Sequence, residues 1–143
     1  MRLALKRLCY AVLALFVLIQ LVPYGRDHAA PLGDKEPKWD SPRTRELALR
    51  ACFDCHSNRT RWPWYASVAP VSWLVQHDVV EGREHLNFSE FDKRQRNAGE
   101  CEDQVRSREM PIPKYTWMHR EARLSDAERD ELADGLARTF GDE

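Results

Sequence analysis

Residues 51–58 read Ala51-Cys52-Phe53-Asp54-Cys55-His56-Ser57-Asn58, which places two thiols and an imidazole side by side in the chain. Three chemistries use such a stretch. A redox dithiol cycles it between thiol and disulfide, a zinc ion takes it as half of a site, and a haem can be joined to it covalently. The residues around it decide among the three, and the fold follows from that decision.

A thioredoxin-like dithiol needs a preceding strand and a βαβ surround. No segment here alternates apolar and polar residues as a half-buried strand does. Zinc asks for four ligands, commonly from a second paired motif, and His77, His85 and His119 form no such half-site. A structural disulfide between Cys52 and Cys55 would close a short, strained loop. C-x-x-C-H, in contrast, is the attachment sequence for c-type haem. Two thiols three positions apart at a helix end reach the two vinyl groups on one edge of the porphyrin. The histidine that follows is carried beneath the iron. Cys52 and Cys55 are therefore expected to hold one haem c, with His56 as its proximal ligand.

The chain has 143 residues, enough for one compact domain. Its 22 Lys and Arg nearly balance its 23 Asp and Glu, and three of the cations (Arg2, Lys6, Arg7) precede the first apolar run. The remainder is mildly acidic, which argues against nucleic acid as a partner. Residues 8–22 form the one long apolar run, broken late by Gln20. Cations ahead of it keep its amino end cytoplasmic and send the rest across the membrane. Fifteen helical residues reach about 22 Å, short of the ~30 Å hydrocarbon core, a length that suits a short anchor or a cleaved signal. The nearest cleavage candidate, His28-Ala29-Ala30, has His where a small side chain is wanted. The expectation is a single-pass anchor in the cytoplasmic membrane with the body in the periplasm, the alternative being a cleaved, soluble periplasmic protein. Bacterial thioether formation occurs on that same outer side. Cys9 lies in the apolar run, apart from Cys101, which is left as an odd thiol expected on a helix.

Residues 1–24 are thus read as a signal-anchor segment, 25–40 as a linker carrying Pro31, Pro37, Gly25 and Gly33, and 41–143 as the haem-binding domain. Four helices are predicted in the domain. The first starts at the cap Ser41-Pro42 and carries Leu47, Ala48, Ala51 and Cys55 at helical spacing. Pro70 opens the second, with Val71, Leu74 and Val75 on one face and Gly82 as its terminator. A third covers about residues 97–108, with Cys101 and Val105 on one face. The fourth opens on the capping box Ser125-Asp126-Ala127-Glu128 and buries Leu132, Ala133, Leu136, Ala137 and Phe140. The fold class is all-α, a small cytochrome c-like helical domain around one covalent haem, preceded by an N-terminal membrane helix.

A sixth iron ligand has to come from well downstream. Met110, in Arg108-Glu109-Met110-Pro111-Ile112-Pro113, lies in a loop that two prolines stiffen, and a thioether there loses little entropy on being fixed. His77 and His85 are the alternatives, with Met118 and His119 behind them. Trp62, Trp64, Tyr65 and Trp73 are the natural walls of a flat apolar pocket. Arg59 and Arg61, just past the attachment site, are candidates to pair with the haem propionates.

The stretch CFDCHSNRTRWPWYASVAPVSWLVQHDVVEGREHLNFSE, beginning at Cys52, closely resembles the bacterial haem-binding domain family of small exported proteins with a single c-type motif. The resemblance extends to Glu109-Met110-Pro111, to residues 122–128 and to the V-P-Y-G-R-D-H segment near the amino end. It implies haem c on Cys52, Cys55 and His56, with Met110 as the matching methionine. An iron closed by His56 and Met110 has no vacant position, so the expected function is single-electron transfer to a redox protein or membrane electron-transfer component. The alternative is a haem enzyme or a gas or redox sensor with an open sixth position, in which His77 or His85 would serve the distal pocket.

Overall fold

The computed structural model describes residues 1–29 and 31–141. Ala30, the last residue of the cleavage candidate, lies outside the described residues. The protein is all-helical, with α1 (Arg2–Ile19), α2 (Pro42–Ala51), α3 (Phe53–His56), α4 (Val71–His85), α5 (Cys101–Arg106), α6 (Pro113–Met118) and α7 (Asp126–Phe140). Short 3-10 turns cover Trp64–Ser67, Ala98–Glu100 and Arg120–Ala122. Among the described residues, extended pairing is confined to an isolated parallel bridge between Lys35 and Glu90. The chain forms two compact units, Met1–Ala29 with Trp62–Asp78, and Ala30–Arg61 with Val79–Glu143.

In the first unit α1 buries none of its side chains and ends in a turn at Gln20. Gln20, the polar break in the apolar run, is a two-point clasp. Its Nε2 donates to the Ala69 carbonyl at 2.9 Å and its Oε1 accepts from the Ala69 amide at 3.0 Å. Gly25, at φ 76°, passes so near Ser72 that a Cβ would stand 2.4 Å from the Ser72 carbonyl oxygen, which only glycine permits. No helix of the described residues is long and apolar enough to cross a membrane; α1 carries Arg2, Lys6 and Arg7 in its first turns.

The second unit holds the hydrophobic core. Ser41 caps α2, its Oγ accepting from the Thr44 amide at 3.1 Å, and Ser125 and Glu128 form the expected reciprocal box at the start of α7. Leu47 and Ala48 of α2 meet Leu132, Ala133 and Leu136 of α7, with Val105 of α5 beside them. Gly135 lets α7 approach α2 closely, since a Cβ there would fall 2.1 Å from Thr44 Oγ1. Phe88 is the centre of an aromatic cluster, 5.2 Å from Trp39, 5.5 Å from Phe53 and 6.3 Å from Phe140 between ring centroids. Each such buried ring contributes on the order of 2–3 kcal/mol.

Residues 31–40, expected as a linker, are extended as a linker would be but are bonded into this unit. Lys35 N donates to Ser89 O at 2.9 Å, Phe91 N to Lys35 O at 2.8 Å, and Trp39 packs on the core. The second predicted helix needs two corrections. Gly82 does not end α4, which continues to His85, and Val71 and Leu74 face solvent. Small residues decide the inward face instead. Ser72, Val79 and Gly82 are the buried positions of α4, and Gly82 lets the helix pass close to the Cys55 backbone.

Candidate functional site

The Cys52-x-x-Cys55-His56 stretch starts at Cys52, the junction of α2 and α3, and fills α3. Cys55 N and His56 N both return to Cys52 O, at 3.2 and 2.9 Å, so one tight turn presents both thiols and the imidazole. None of the four cysteines is joined in a disulfide. Burial, with the neighbouring Cys101 and Cys55 thiols, pushes the Cys52 thiol up to about 12. A redox dithiol needs the opposite, a thiol pKa drawn down to favour thiolate.

The imidazole of His56 is fixed by its backbone surroundings. Nδ1 lies 3.1 Å from the Leu86 carbonyl oxygen. A carbonyl only accepts, so Nδ1 carries the proton and Nε2 keeps its lone pair. Burial lowers the His56 pKa, against the opposing pull of the Leu86 and Gly82 carbonyls, and the ring is neutral at physiological pH. The His56 carbonyl in turn accepts from Phe88 N at 2.8 Å, and its ring lies 6.3 Å from that of Phe88. Gly82 brings α4 against this turn, since a Cβ there would lie 2.7 Å from the Cys55 carbonyl oxygen.

Buried polar side chains hold the turn from the other side. Ser89 Oγ accepts from Asn58 N at 3.0 Å, Asn87 Nδ2 donates to Asn58 Oδ1 at 2.9 Å, and Arg83 Nε donates to Ser57 O at 2.8 Å. The Asn87-Phe88-Ser89 triplet therefore braces the Cys-His turn with both its polar members while its middle residue fills the core. Asp54, between the two cysteines, is buried. Its carboxylate takes Arg61 through the backbone N (3.0 Å), Nε (3.1 Å) and Nη2 (3.0 Å), and takes the Tyr115 hydroxyl at 2.6 Å. Burial alone would raise its pKa; the donors of Arg61 and Tyr115 outweigh that and hold it below the usual carboxylate range. Arg61 is thereby committed to Asp54, and Arg59 to Asp34 and to Glu36 at 3.0 Å, so both expected propionate partners have internal carboxylates.

Met110 is half-buried and follows α5 after Arg108, whose left-handed φ of 66° turns the chain. Its backbone is gripped on both sides. Met110 N donates to Gln104 O at 3.0 Å, and Arg129 Nη1 of α7 donates to the Met110 carbonyl at 3.0 Å and to the Val105 carbonyl at 2.9 Å. The loop then runs through two prolines into α6, where Tyr115 meets Asp54. Cys52, Cys55, His56 and Met110 all belong to the second unit. Trp62, Trp64, Tyr65 and Trp73 belong to the first, where Trp62 stacks on His28 at 4.2 Å, Trp64 stands edge-on to Tyr65 at 5.8 Å and is exposed, and Trp73 buries its Nε1. His77 and His85 are exposed on α4, Met118 is exposed on α6, and His119 stacks on Tyr115 at 4.1 Å.

Among the described residues no group of three or more His, Cys, Asp or Glu side chains is placed to share a metal ion. A haem asks less of a protein than a bare metal does, because the porphyrin supplies four of the iron's ligands and the chain needs only axial ones. The half-buried neutral imidazole with a committed Nδ1, and the thiols adjacent to it in the same turn, fit that demand. These features define a small all-helical haem-binding protein. The chain matches the haem-binding domain family over residues 14–138 and belongs to it. No curated protein and no solved structure matches it.

Proposed function

We propose that this protein carries one haem c, held by thioethers to Cys52 and Cys55, with His56 and Met110 as axial ligands, and that it passes single electrons on the outer side of the cytoplasmic membrane. The observation that carries the reading is the hydrogen bond of 3.1 Å between His56 Nδ1 and the Leu86 carbonyl. It selects the tautomer whose Nε2 can ligate and orients the ring, the service that outer-shell partners give to metal-binding histidines. Each thiol adds its S–H across a vinyl double bond, sulfur to one carbon and hydrogen to the other, so attachment consumes no oxidant. When bound, haem supplies reversible one-electron chemistry at its iron. His56 and Met110 would hold the iron and leave no position for a small ligand, and a thioether ligand would raise the potential. Leu3, Leu5, Leu8, Val12 and Leu15 of α1 are exposed, which supports an amino end held at the membrane.

The test is expression in cells competent for cytochrome maturation, followed by denaturing electrophoresis and haem staining. The wild-type band retains haem, and Cys52→Ala with Cys55→Ala loses it. A colourless wild-type band would overturn covalent attachment. Carbon monoxide added to the reduced protein tests the closed iron, and Met110→Ala opens it.

A further inference from the structure

We propose that the hydrogen bond from Tyr115 to Asp54 is a latch that holds the methionine loop closed, making Tyr115 the positioning residue that sets how readily the sixth iron position opens. The inference rests on the reading of Cys52, Cys55 and His56 as the attachment site and of Met110 as the sixth ligand.

Asp54 stands inside the attachment motif itself, one residue before Cys55. Tyr115 lies on α6, joined to Met110 by Pro111-Ile112-Pro113, where prolines leave little freedom to absorb a displacement. The α6 start is tied to that connection, with Tyr115 N and Thr116 N on the Ile112 carbonyl at 3.1 and 3.2 Å. A bond of 2.6 Å from the phenol to a buried carboxylate therefore joins the proximal turn directly to the segment carrying the distal ligand. Upstream, Gln104 and Arg129 hold the Met110 backbone. Downstream, the Tyr115 side chain reaches the turn that carries Cys52, Cys55 and His56. The Asp54 carboxylate accepts four donors from two residues, which fixes its orientation and so the direction from which the phenol is held. Burial and the neighbouring Asp54 push the phenol's pKa far up, and it remains a donor throughout the accessible range. Hydrogen bonds to charged groups are among the stronger ones, and losing one is worth roughly a ten-fold or greater change in an opening equilibrium.

The experiment uses the haem-loaded full chain. Tyr115→Phe keeps the ring and its stack on His119 and removes only the hydroxyl. It is expected to speed carbon monoxide binding to the reduced protein roughly ten-fold or more, and to speed amide hydrogen exchange at Met110, with the proximal His56 signature unchanged. Asp54→Asn removes the charge from the other end and is expected to act in the same direction, which keeps the test open should the tyrosine variant fail to accumulate. If wild type excludes carbon monoxide and both variants bind it no faster, with Met110 exchange unaltered, the latch is refuted while the closed-iron reading stands. If wild type itself binds carbon monoxide readily, Met110 ligation falls and the latch falls with it.

Discussion

Gly82 lies so close to Cys55 that a Cβ on it would stand 2.7 Å from the Cys55 carbonyl oxygen and 3.1 Å from its Cβ. The obstruction is backbone, so no flexible side chain can move aside. Gly82→Ala should push α4 from the turn that carries Cys55 and His56 at an expected cost of about 2–3 kcal/mol, within the usual range for overpacking a core. Denaturant unfolding would report this as a lower midpoint with an unchanged m-value. The haem-loaded fraction should fall too, because Leu86, whose carbonyl orients His56, directly follows the end of α4. An alanine variant as stable as wild type would mean that the two segments are not in backbone contact.

Phe88 joins the core to the site, with its ring near Trp39, Phe53, Phe91 and Phe140 and its amide on the His56 carbonyl. Phe88→Ala is expected to cost about 3–5 kcal/mol, and Phe88→Leu, which keeps most of the volume, about 1–2 kcal/mol. Thermal unfolding of the two variants checks the order. Equal losses would show that ring shape, more than the cavity left behind, governs this position.

Local chemistry made part of this site readable in advance. Cys52, Cys55 and His56 declare themselves because their spacing is set within one turn of chain, and the Ser125 box because caps are local. Contacts distant in sequence left no such mark. Asp54 and Tyr115 are 61 residues apart, and Met110 and Arg129 are 19 apart. Nothing in either residue's neighbours announces its partner. Gly82 reads by its propensity as a helix stop, yet it lies inside α4 and packs against Cys55. Trp39 sits among prolines and charges that read as linker, and only the tertiary structure shows it packed on the core. Asn87 and Ser89 were visible as part of a family resemblance; their work, bonding Asn58, is visible only in three dimensions.

Glu36 gives the protein an acid-sensitive clasp. Its carboxylate accepts from Arg45 Nε at 2.6 Å and Nη2 at 2.7 Å, and from Trp39 Nε1 at 2.9 Å, with Arg59 at 3.0 Å. Arg45 foremost, against the cost of burial, holds its pKa below the ordinary glutamate value. A carboxylate with a depressed folded pKa contributes stability that is full above its unfolded value, near 4.3, and is lost as pH falls through the folded one. Glu36→Gln should therefore cost about 1–2 kcal/mol at neutral pH and make stability less dependent on pH below about 4.5. Urea midpoints from pH 7 to pH 3 test this. A loss that stays constant down to pH 3 would assign the effect to packing rather than charge.

Arg129 offers the complementary test of how the methionine loop is held. One nitrogen, Nη1, bridges the carbonyls of Val105 and Met110, tying α7 to both the last turn of α5 and the loop after it. Lysine keeps the charge, but its ammonium sits one bond nearer the backbone than Nη1 and is more strongly hydrated, so Arg129→Lys should hold the two carbonyls less well. The expected loss is about 1–3 kcal/mol of stability. The same variant should also quicken Met110 amide exchange and carbon monoxide binding in the haem-loaded protein. Opening the loop has to break the Arg129 bond upstream and the Tyr115 bond downstream. If the two act as independent restraints, their effects on the ligand-binding rate should multiply in the Tyr115→Phe, Arg129→Lys double variant. An Arg129→Lys protein that loses stability while its carbon monoxide rate stays at the wild-type value would confine Arg129 to packing α5 on α7, and the phenol of Tyr115 alone would then govern the loop.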